Sequence, residues 1–293
     1  MFVNLNVSYS YSGIMRNLIL LKKNYPRLLA LRTAGVSHDG RDIPLVRVGK
    51  GDIGTLCIAG VHSRENINPI VLVAIIEKLA RTYYSAGESL LDNYAIYFMP
   101  LMNPDGYEIS TRGFGAIRND ILRYRCEKIQ PDYSGYKFNA RGVDINRNFA
   151  CQAFMPSLYS GACNSENETL TLIRVCRDNE LLGMIDFHSR GNNIYYHRAA
   201  MSEEYNQKQL QIAQQLSLLT GYSLNSPELE NPDNLSGGNT VQLFSETYHK
   251  PAITIETVEE EADFPLDKKY QSVVFDAIKE VPLTFLNLLV HGH

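Results

Sequence analysis

Thr55-Leu56-Cys57-Ile58-Ala59-Gly60-Val61, followed at once by His62-Ser63-Arg64-Glu65 and then by Asn68-Pro69, is the stretch on which the fold turns. A short apolar run bounded by loop residues reads as a buried strand. Asn68 and Pro69 open the next element, because asparagine caps a helix and proline suits its first turn. The apolar pattern then carries a helix to about Tyr84. The same rhythm recurs outward from this unit. Tyr94–Met99 reads as a second buried strand, Met184–Phe187 as a third and Ala252–Ile255 as a fourth. Between them, Ser165-x-x-Glu168 reads as a capping box opening a helix to about Glu180, and Glu203–Leu219 as an amphipathic helix. A last helix runs from Asp267 to about Val290 with a break at Pro282. Upstream, Ile14–Tyr25 is a helix stopped by Pro26. Leu28–Val36 and Ile43–Val48 form a hairpin about Ser37-His38-Asp39-Gly40. Apolar strands alternating with helices predict an α/β fold with a mixed, largely parallel sheet flanked by helices. One domain is expected over residues 1–293, with the helix and hairpin of residues 1–50 packed onto a core of residues 51–293.

Composition narrows the function classes. Of 293 residues, 44% are hydrophobic and 20% charged, which is too apolar for a disordered chain. The net charge of −4 lacks the basic excess of a general nucleic-acid binder. The strongest apolar run, Ile70–Ile76, ends at Glu77 and Lys78, far short of a membrane span. Five cysteines, an odd number without a C-x-x-C pair, fit a reducing compartment better than a disulfide framework. The N-terminal residues lack a basic segment followed by an apolar stretch, so a cytoplasmic location is expected. The interval from Asn103 to about Ser165 is weakly periodic and rich in Gly, Asn, Arg and Tyr. It reads as a long loop of the kind that carries function.

Ligands of an open α/β sheet bind beyond the carboxyl ends of its strands. His62-Ser63-Arg64-Glu65 follows the first strand, Asn103-Pro104-Asp105-Gly106 the second and His188-Ser189 the third. Glu256 ends the fourth. His62 and Glu65, three residues apart on a tight turn, can reach one ion. With His188 they make two imidazoles and a carboxylate, a set suited to a catalytic zinc with one open position. A lone histidine is more often a hydrogen-bonded core or surface side chain, and H-x-x-E alone is weak. Joint placement after separate strands is what gives the pattern weight. In the long loop, Asp144-Ile145-Asn146-Arg147-Asn148 puts an arginine beside an asparagine. Such a pair can grip a carboxylate, or can merely form a surface salt bridge.

As an ordered set these pieces resemble the zinc carboxypeptidases of the carboxypeptidase A type. His62–Glu65, Asn103–Gly106, Gly142-Val-Asp-Ile-Asn-Arg-Asn-Phe149, His188-Ser189 and Thr254-Ile255-Glu256 stand in that family's order. Tyr136-Lys137-Phe138-Asn139 and the segment Phe264-Pro265-Leu266 are more similar to a bacterial branch that cuts γ-D-glutamyl–diamino acid bonds in cell-wall peptides. The resemblance implies a carboxypeptidase A-like fold and one zinc held by His62, Glu65 and His188. It implies Glu256 as general base, with a pKa raised by partial burial. Asn146 and Arg147 match the pair that holds a substrate carboxylate. Lys137 is the first choice for the cation that steadies the oxyanion, with Arg123, Arg125 and Arg141 as rivals.

The chain departs from the digestive enzymes near residues 231–244. Asn234 stands where those enzymes carry a mobile tyrosine, and Gln242-Leu243 replaces an Asp-Trp-like pair. Asn239 and Gln242 are expected to line the pocket beyond the scissile bond. Three functions follow from the resemblance: a peptidase acting on murein-derived peptides, a conventional carboxypeptidase, or an inactive family member that binds peptides. Glu259, Glu260 and Glu261 are expected to be solvated. So are His38, His249, His291 and His293, while His197 is expected to pack structurally.

Overall fold

The structure, a computed structural model, describes residues 2–85, 89–152, 154–227 and 238–292. An eight-stranded sheet runs through these residues. In chain order the strands are β1 (Leu29–Val36), β2 (Asp42–Gly49), β3 (Gly54–Ala59), β4 (Ala95–Met99), β5 (Leu181–Ser189), β6 (Asn193–Tyr195), β7 (Ser223–Leu224) and β8 (Ala252–Thr257). Their spatial order is β1-β2-β4-β3-β5-β8-β6-β7. The central strands β4, β3, β5 and β8 are mutually parallel. The hairpin β1–β2 adds on antiparallel at one side, and β6 adds antiparallel to β8 at the other. The sheet is therefore mixed and parallel at its centre.

Helices cover both faces, and strand alternation shows it residue by residue. Leu56 and Ile58 of β3 enter one apolar cluster with Leu172 and Val175 of α5 (Asn167–Asp178) and Phe244 of α7 (Thr240–Tyr248). Cys57 and Ala59 point the other way, into the cluster of α2 (Asn68–Ser85), α1 (Tyr11–Asn24) and the C-terminal helices α8 (Tyr270–Ile278) and α9 (Val281–His291). The C-terminal helical stretch is thus two helices, with Pro282 in the first turn of the second. Being buried on both faces makes β3 read as a continuous apolar run rather than an alternating one.

Several local readings need correction. The interval after Asn103 is not one long loop. It holds α3 (Pro104–Arg112), α4 (Asp120–Ile129) and a small core of Ile109, Ile117, Cys126, Tyr136 and Phe138. Asn103 caps α3 with proline at its start, and Asn119 caps α4. Those helices are short and polar, so their apolar period is faint. Asn68 does not spend its side chain on a cap. Its amide donates to the His188 carbonyl at 2.7 Å and accepts from the Thr257 hydroxyl at 2.9 Å, tying the start of α2 to the ends of β5 and β8. No capping box opens α5, whose N-cap is Glu166. Glu166 and Glu168 instead receive the Asn139 amide, at 2.8 and 3.2 Å. His38 is 3.0 Å from Glu166 and 3.8 Å from Glu168, so it is an ion-pair partner rather than a solvent-facing turn residue. His249 and His291 are exposed as expected, and His293 lies outside the described residues. All five cysteines are free thiols. No helix among the described residues is long and apolar enough to cross a membrane.

Candidate active site

The site is assembled at the carboxyl ends of β3, β5 and β8. His62 and Glu65 occupy the turn after β3, and His188 is the penultimate residue of β5. Parallel pairing sets Glu256 of β8 directly opposite His188. Glu65 bridges the two histidines. Its Oε1 is 2.8 Å from His62 Nδ1, and its Oε2 is 2.9 Å from His188 Nδ1. The Ser189 amide donates to the same Oε2 at 3.0 Å. One potential ligand atom from each of the three residues lies within 4.8 Å of the others.

The far nitrogen of each imidazole is held by a carboxylate. His62 Nε2 is 3.1 Å from Asp144, and His188 Nε2 is 2.9 Å from Asp186. Thr240 donates its hydroxyl to Asp186, and Lys137 Nζ lies 2.7 Å from Asp144. Carboxylate–imidazole pairs of this kind fix the ring and raise the basicity of the nitrogen that faces a metal. Sequence reading missed Asp144 as a partner of His62, as well as Asp186 and Thr240. The D-x-H spacing of Asp186 and His188 on one strand was the available signal, since alternate residues share a face.

The charges of this centre favour a cation. Burial would lower the pKa of His62, yet the charges of Glu65 and Asp144 raise it. His188 is likewise driven well up, against burial, by Asp186 and Glu65. Burial opposes ionisation of Glu65, but the two imidazoliums hold its carboxyl down at about 2. Asp144 is held far below the usual carboxylate range by His62 and Lys137 despite its burial. The surrounding carboxylates thus favour positive charge on both imidazoles. A divalent ion displaces any protons there when it binds.

Glu256 sits differently. It is partly accessible, and burial together with the charge of Glu65 pushes its carboxyl up to about 8. Its Oε2 is buried and has no hydrogen-bond partner among the described residues. A carboxyl with an unbonded oxygen beside two imidazoles and a second carboxylate, Glu65, is placed to exchange a proton. Two Nδ1 atoms, a carboxylate, their oriented partners and this unspent oxygen fit a catalytic zinc site with His62, Glu65 and His188 as its ligands.

The turn bearing His62 is stitched to the segment that bears Lys137. The Ser63 amide donates to the Lys137 carbonyl at 3.3 Å, and the Ser63 hydroxyl to the Tyr136 carbonyl at 2.6 Å. Gly106 makes room for this, because a Cβ there would lie 2.3 Å from the Phe138 carbonyl. Lys137, about one-third exposed at 32%, is therefore brought to the centre. Its rivals are elsewhere: Arg123 pairs with Asp120, Arg141 lies 3.4 Å from Glu166, and Arg125 is exposed on α4.

Asn146 and Arg147 stand on a 3-10 turn (Ile145–Arg147) capped by Asp144. The Asn146 amide is 3.5 Å from His188 Nε2, and its oxygen accepts from the Thr240 amide at 3.2 Å. Among the described residues, the Arg147 guanidinium donates only to the Asn146 carbonyl, at 2.8 Å. Asn239 and Gln242 form the capping box of α7, each side chain bonding the other's backbone. Both side chains thus cap a helix, and Thr240 between them reaches Asp186 at the centre. Asn234 lies outside the described residues. Glu259, Glu260 and Glu261 are exposed, as expected.

The fold is shared with solved carboxypeptidase structures, and the zinc carboxypeptidase family model matches residues 14–272. The chain belongs to that family. It is similar to carboxypeptidase B of Astacus astacus, with 29% identity over 145 residues, 48% of this chain and 44% of the relative. It is also similar to gamma-D-glutamyl-L-diamino acid endopeptidase 1 of Lysinibacillus sphaericus, with 24% identity over 294 residues, 89% of this chain and 72% of the relative. Among solved structures it superimposes on bovine thrombin-activatable fibrinolysis inhibitor with a TM-score of 0.80 at 18% identity, covering 99% of each chain. The match thus spans less than half of the crayfish enzyme but most of the bacterial one.

Proposed function

We propose that the chain hydrolyses peptide amide bonds with zinc held by His62, Glu65 and His188, and that its substrates are γ-D-glutamyl–diamino acid peptides derived from murein. The observation that carries the hydrolytic reading is the pairing of β5 with β8, which sets Glu256 opposite His188. When bound, zinc supplies Lewis acidity to the scissile carbonyl and the attacking water. Glu256 takes the water proton as the new C–O bond forms. It then passes that proton to the amine nitrogen as the C–N bond breaks. Lys137 offers positive charge to the oxygen that becomes an oxyanion, swinging from Asp144 to do so. Arg147 and Asn146 hold a carboxylate of the leaving part.

The substrate reading is supported by the relative from Lysinibacillus sphaericus, which aligns over 89% of this chain. A conventional carboxypeptidase is the second reading, supported by the relative from Astacus astacus; the Asn146–Arg147 pair is compatible with both.

Metal analysis with a mass-spectrometric digest separates them. The proposal expects about one zinc per chain and cleavage of L-Ala-γ-D-Glu-diaminopimelate with no trimming of an ordinary blocked peptide. Trimming of the ordinary peptide alone would replace the murein reading by the second one. Protein that neither binds metal nor cleaves either peptide would overturn the hydrolytic reading.

A further inference from the structure

Among the described residues, two sets of three side chains bring histidine and carboxylate ligand atoms within 4.8 Å of one another. One is His62, Glu65 and His188. The other is His38, Glu166 and Glu168, which the chemistry above does not use. Its members come from elements far apart in the chain. His38 stands in the turn between β1 and β2, Glu166 at the N-cap of α5 and Glu168 in the first turn of that helix. His38 Nε2 is 3.0 Å from Glu166 Oε2 and 3.8 Å from Glu168 Oε2. Two ligands of one tetrahedral ion, each about 2.1 Å from it, lie about 3.4 Å apart, a value between those two spacings.

Both carboxylates are fully buried, while His38 is 15% exposed, so solvent reaches the set past the imidazole. Acidic side chains at a helix start ordinarily cap it, but no side-chain cap forms on α5. The carboxylates turn instead toward His38 and the Asn139 amide, which donates to Glu166 at 2.8 Å and to Glu168 at 3.2 Å. Glu166 has further partners. The Ser165 hydroxyl donates to its Oε1 at 2.7 Å, and Arg141 lies 3.4 Å from the same oxygen. Glu168 is left short. Its Oε1 is buried and has no hydrogen-bond partner among the described residues. Bonded to the same carbon as Oε2, this oxygen borders the same space. A buried carboxylate oxygen without a donor is costly, and a bound cation would satisfy it. Burial pushes the Glu168 carboxyl up to about 7. Burial opposes a charge on His38, yet the hydrogen bond to Glu166 and both carboxylate charges raise its pKa. The set therefore favours positive charge, which a divalent ion can supply.

We propose that His38, Glu166 and Glu168 form a second, weaker divalent-cation site, for an ion such as zinc that takes mixed imidazole and carboxylate ligands. Its role is structural. The Asn139 side-chain oxygen accepts from the Arg141 and Val143 amides, at 3.0 Å each, and so closes the turn between Lys137 and Asp144. An ion behind the Asn139 amide braces that turn and ties it to the β1–β2 hairpin and α5. Arg141 competes with the ion, as do the Asn139 amide and the Asn167 amide, which is 3.5 Å from His38 Nε2. The site therefore fills only when zinc is added in excess, and dialysed protein keeps the zinc content expected above.

The test titrates zinc into dialysed wild type, Glu65→Gln, His38→Gln and Glu168→Gln by calorimetry, with circular dichroism as a check on folding. Wild type and Glu65→Gln should both show the weaker binding event. His38→Gln and Glu168→Gln should each weaken it by at least the 10–100-fold, roughly, that loss of an outer partner of a metal ligand costs, with the tight zinc retained. Excess zinc should raise the unfolding temperature of Glu65→Gln but not of the double variant Glu65→Gln/His38→Gln. Anomalous diffraction from wild-type crystals soaked in zinc needs no variant to fold. It should show a peak between His38, Glu166 and Glu168. Absence of the weaker event in wild type would overturn the proposal, as would its survival unchanged in folded His38→Gln and Glu168→Gln. A peak confined to His62, Glu65 and His188 would do the same. The hydrolytic reading stands apart: if it fails, the tight event is missing from wild type, while the weaker one still responds to His38→Gln.

Discussion

Replacing Glu256 by Gln should destroy turnover and stabilise the metal-free fold, and the two effects have one origin. Burial and the charge of Glu65 raise the Glu256 carboxyl from 4.5 to about 8. A carboxyl raised in the fold binds its proton more tightly there than in the unfolded chain. Stability is therefore lost as pH rises from the unfolded value of 4.5 and levels off above the folded value near 8. At 1.36 kcal/mol per pH unit, the ionised group costs the metal-free fold on the order of 2–4 kcal/mol above pH 8, allowing for its partial access to water. Gln has no proton to lose and escapes this cost. Urea unfolding of chelator-treated protein at pH 5, 7 and 9 should show Glu256→Gln gaining on wild type as pH rises, with the smallest difference at pH 5. Zinc loading should shrink the gain, because the ion stabilises the wild-type carboxylate. The same variant, loaded with zinc, should lose about 10²–10⁴ in kcat, the usual contribution of a general base. A pH-independent stability difference would refute the electrostatic origin, and retained turnover would remove Glu256 from the mechanism.

Other outcomes follow from neighbouring contacts. Glu65→Gln removes one charge from between two imidazoles and should abolish stoichiometric zinc in metal analysis; full zinc content would contradict its role as ligand. Asp144→Asn and Asp186→Asn release the far nitrogens of His62 and His188, and each should weaken zinc about 10–100-fold in chelator competition. Unchanged affinity in both would mean that the rings are oriented by packing alone. Glu168, which burial raises to about 7, should make the fold less stable as pH climbs from 4.5 through 7. Glu168→Gln should flatten that part of the profile in thermal unfolding between pH 5 and 8, and an unaltered slope would assign it to other groups.

Much of the centre was legible in the chain because its signals are local. Three apolar strands end in His62, His188 and Glu256, and strand ends are where an α/β sheet binds ligands. The H-x-x-E spacing needs only a turn to bring two ligands together. The helices α3 and α4 were less legible, though Asn103-Pro104 and Asn119-Asp120 are start signals. Short polar helices bury little, so periodicity gives them away only weakly. Asn68 and Ser165–Glu168 show the opposite error. Each looks like a cap by local rule, yet Asn68 bonds the His188 carbonyl, Glu168 receives the Asn139 amide and Ser165 donates to its neighbour Glu166.

What the sequence determined by itself was the alternation of buried strands and helices, and hence the sheet and the side chains that stand at the ends of its central strands. Tertiary structure alone decided which distant groups complete them. Asp144 reaches His62 across 82 residues and Asn146 reaches His188 across 42, because the loop after α4 is stitched to the His62 turn. It also decided that Lys137, not Arg123, Arg125 or Arg141, meets the centre, and that His38 meets Glu166 and Glu168. A strand's side-chain period is set by neighbouring residues, but the partner of a buried charge is set by whichever chain segment packing brings within a few ångströms.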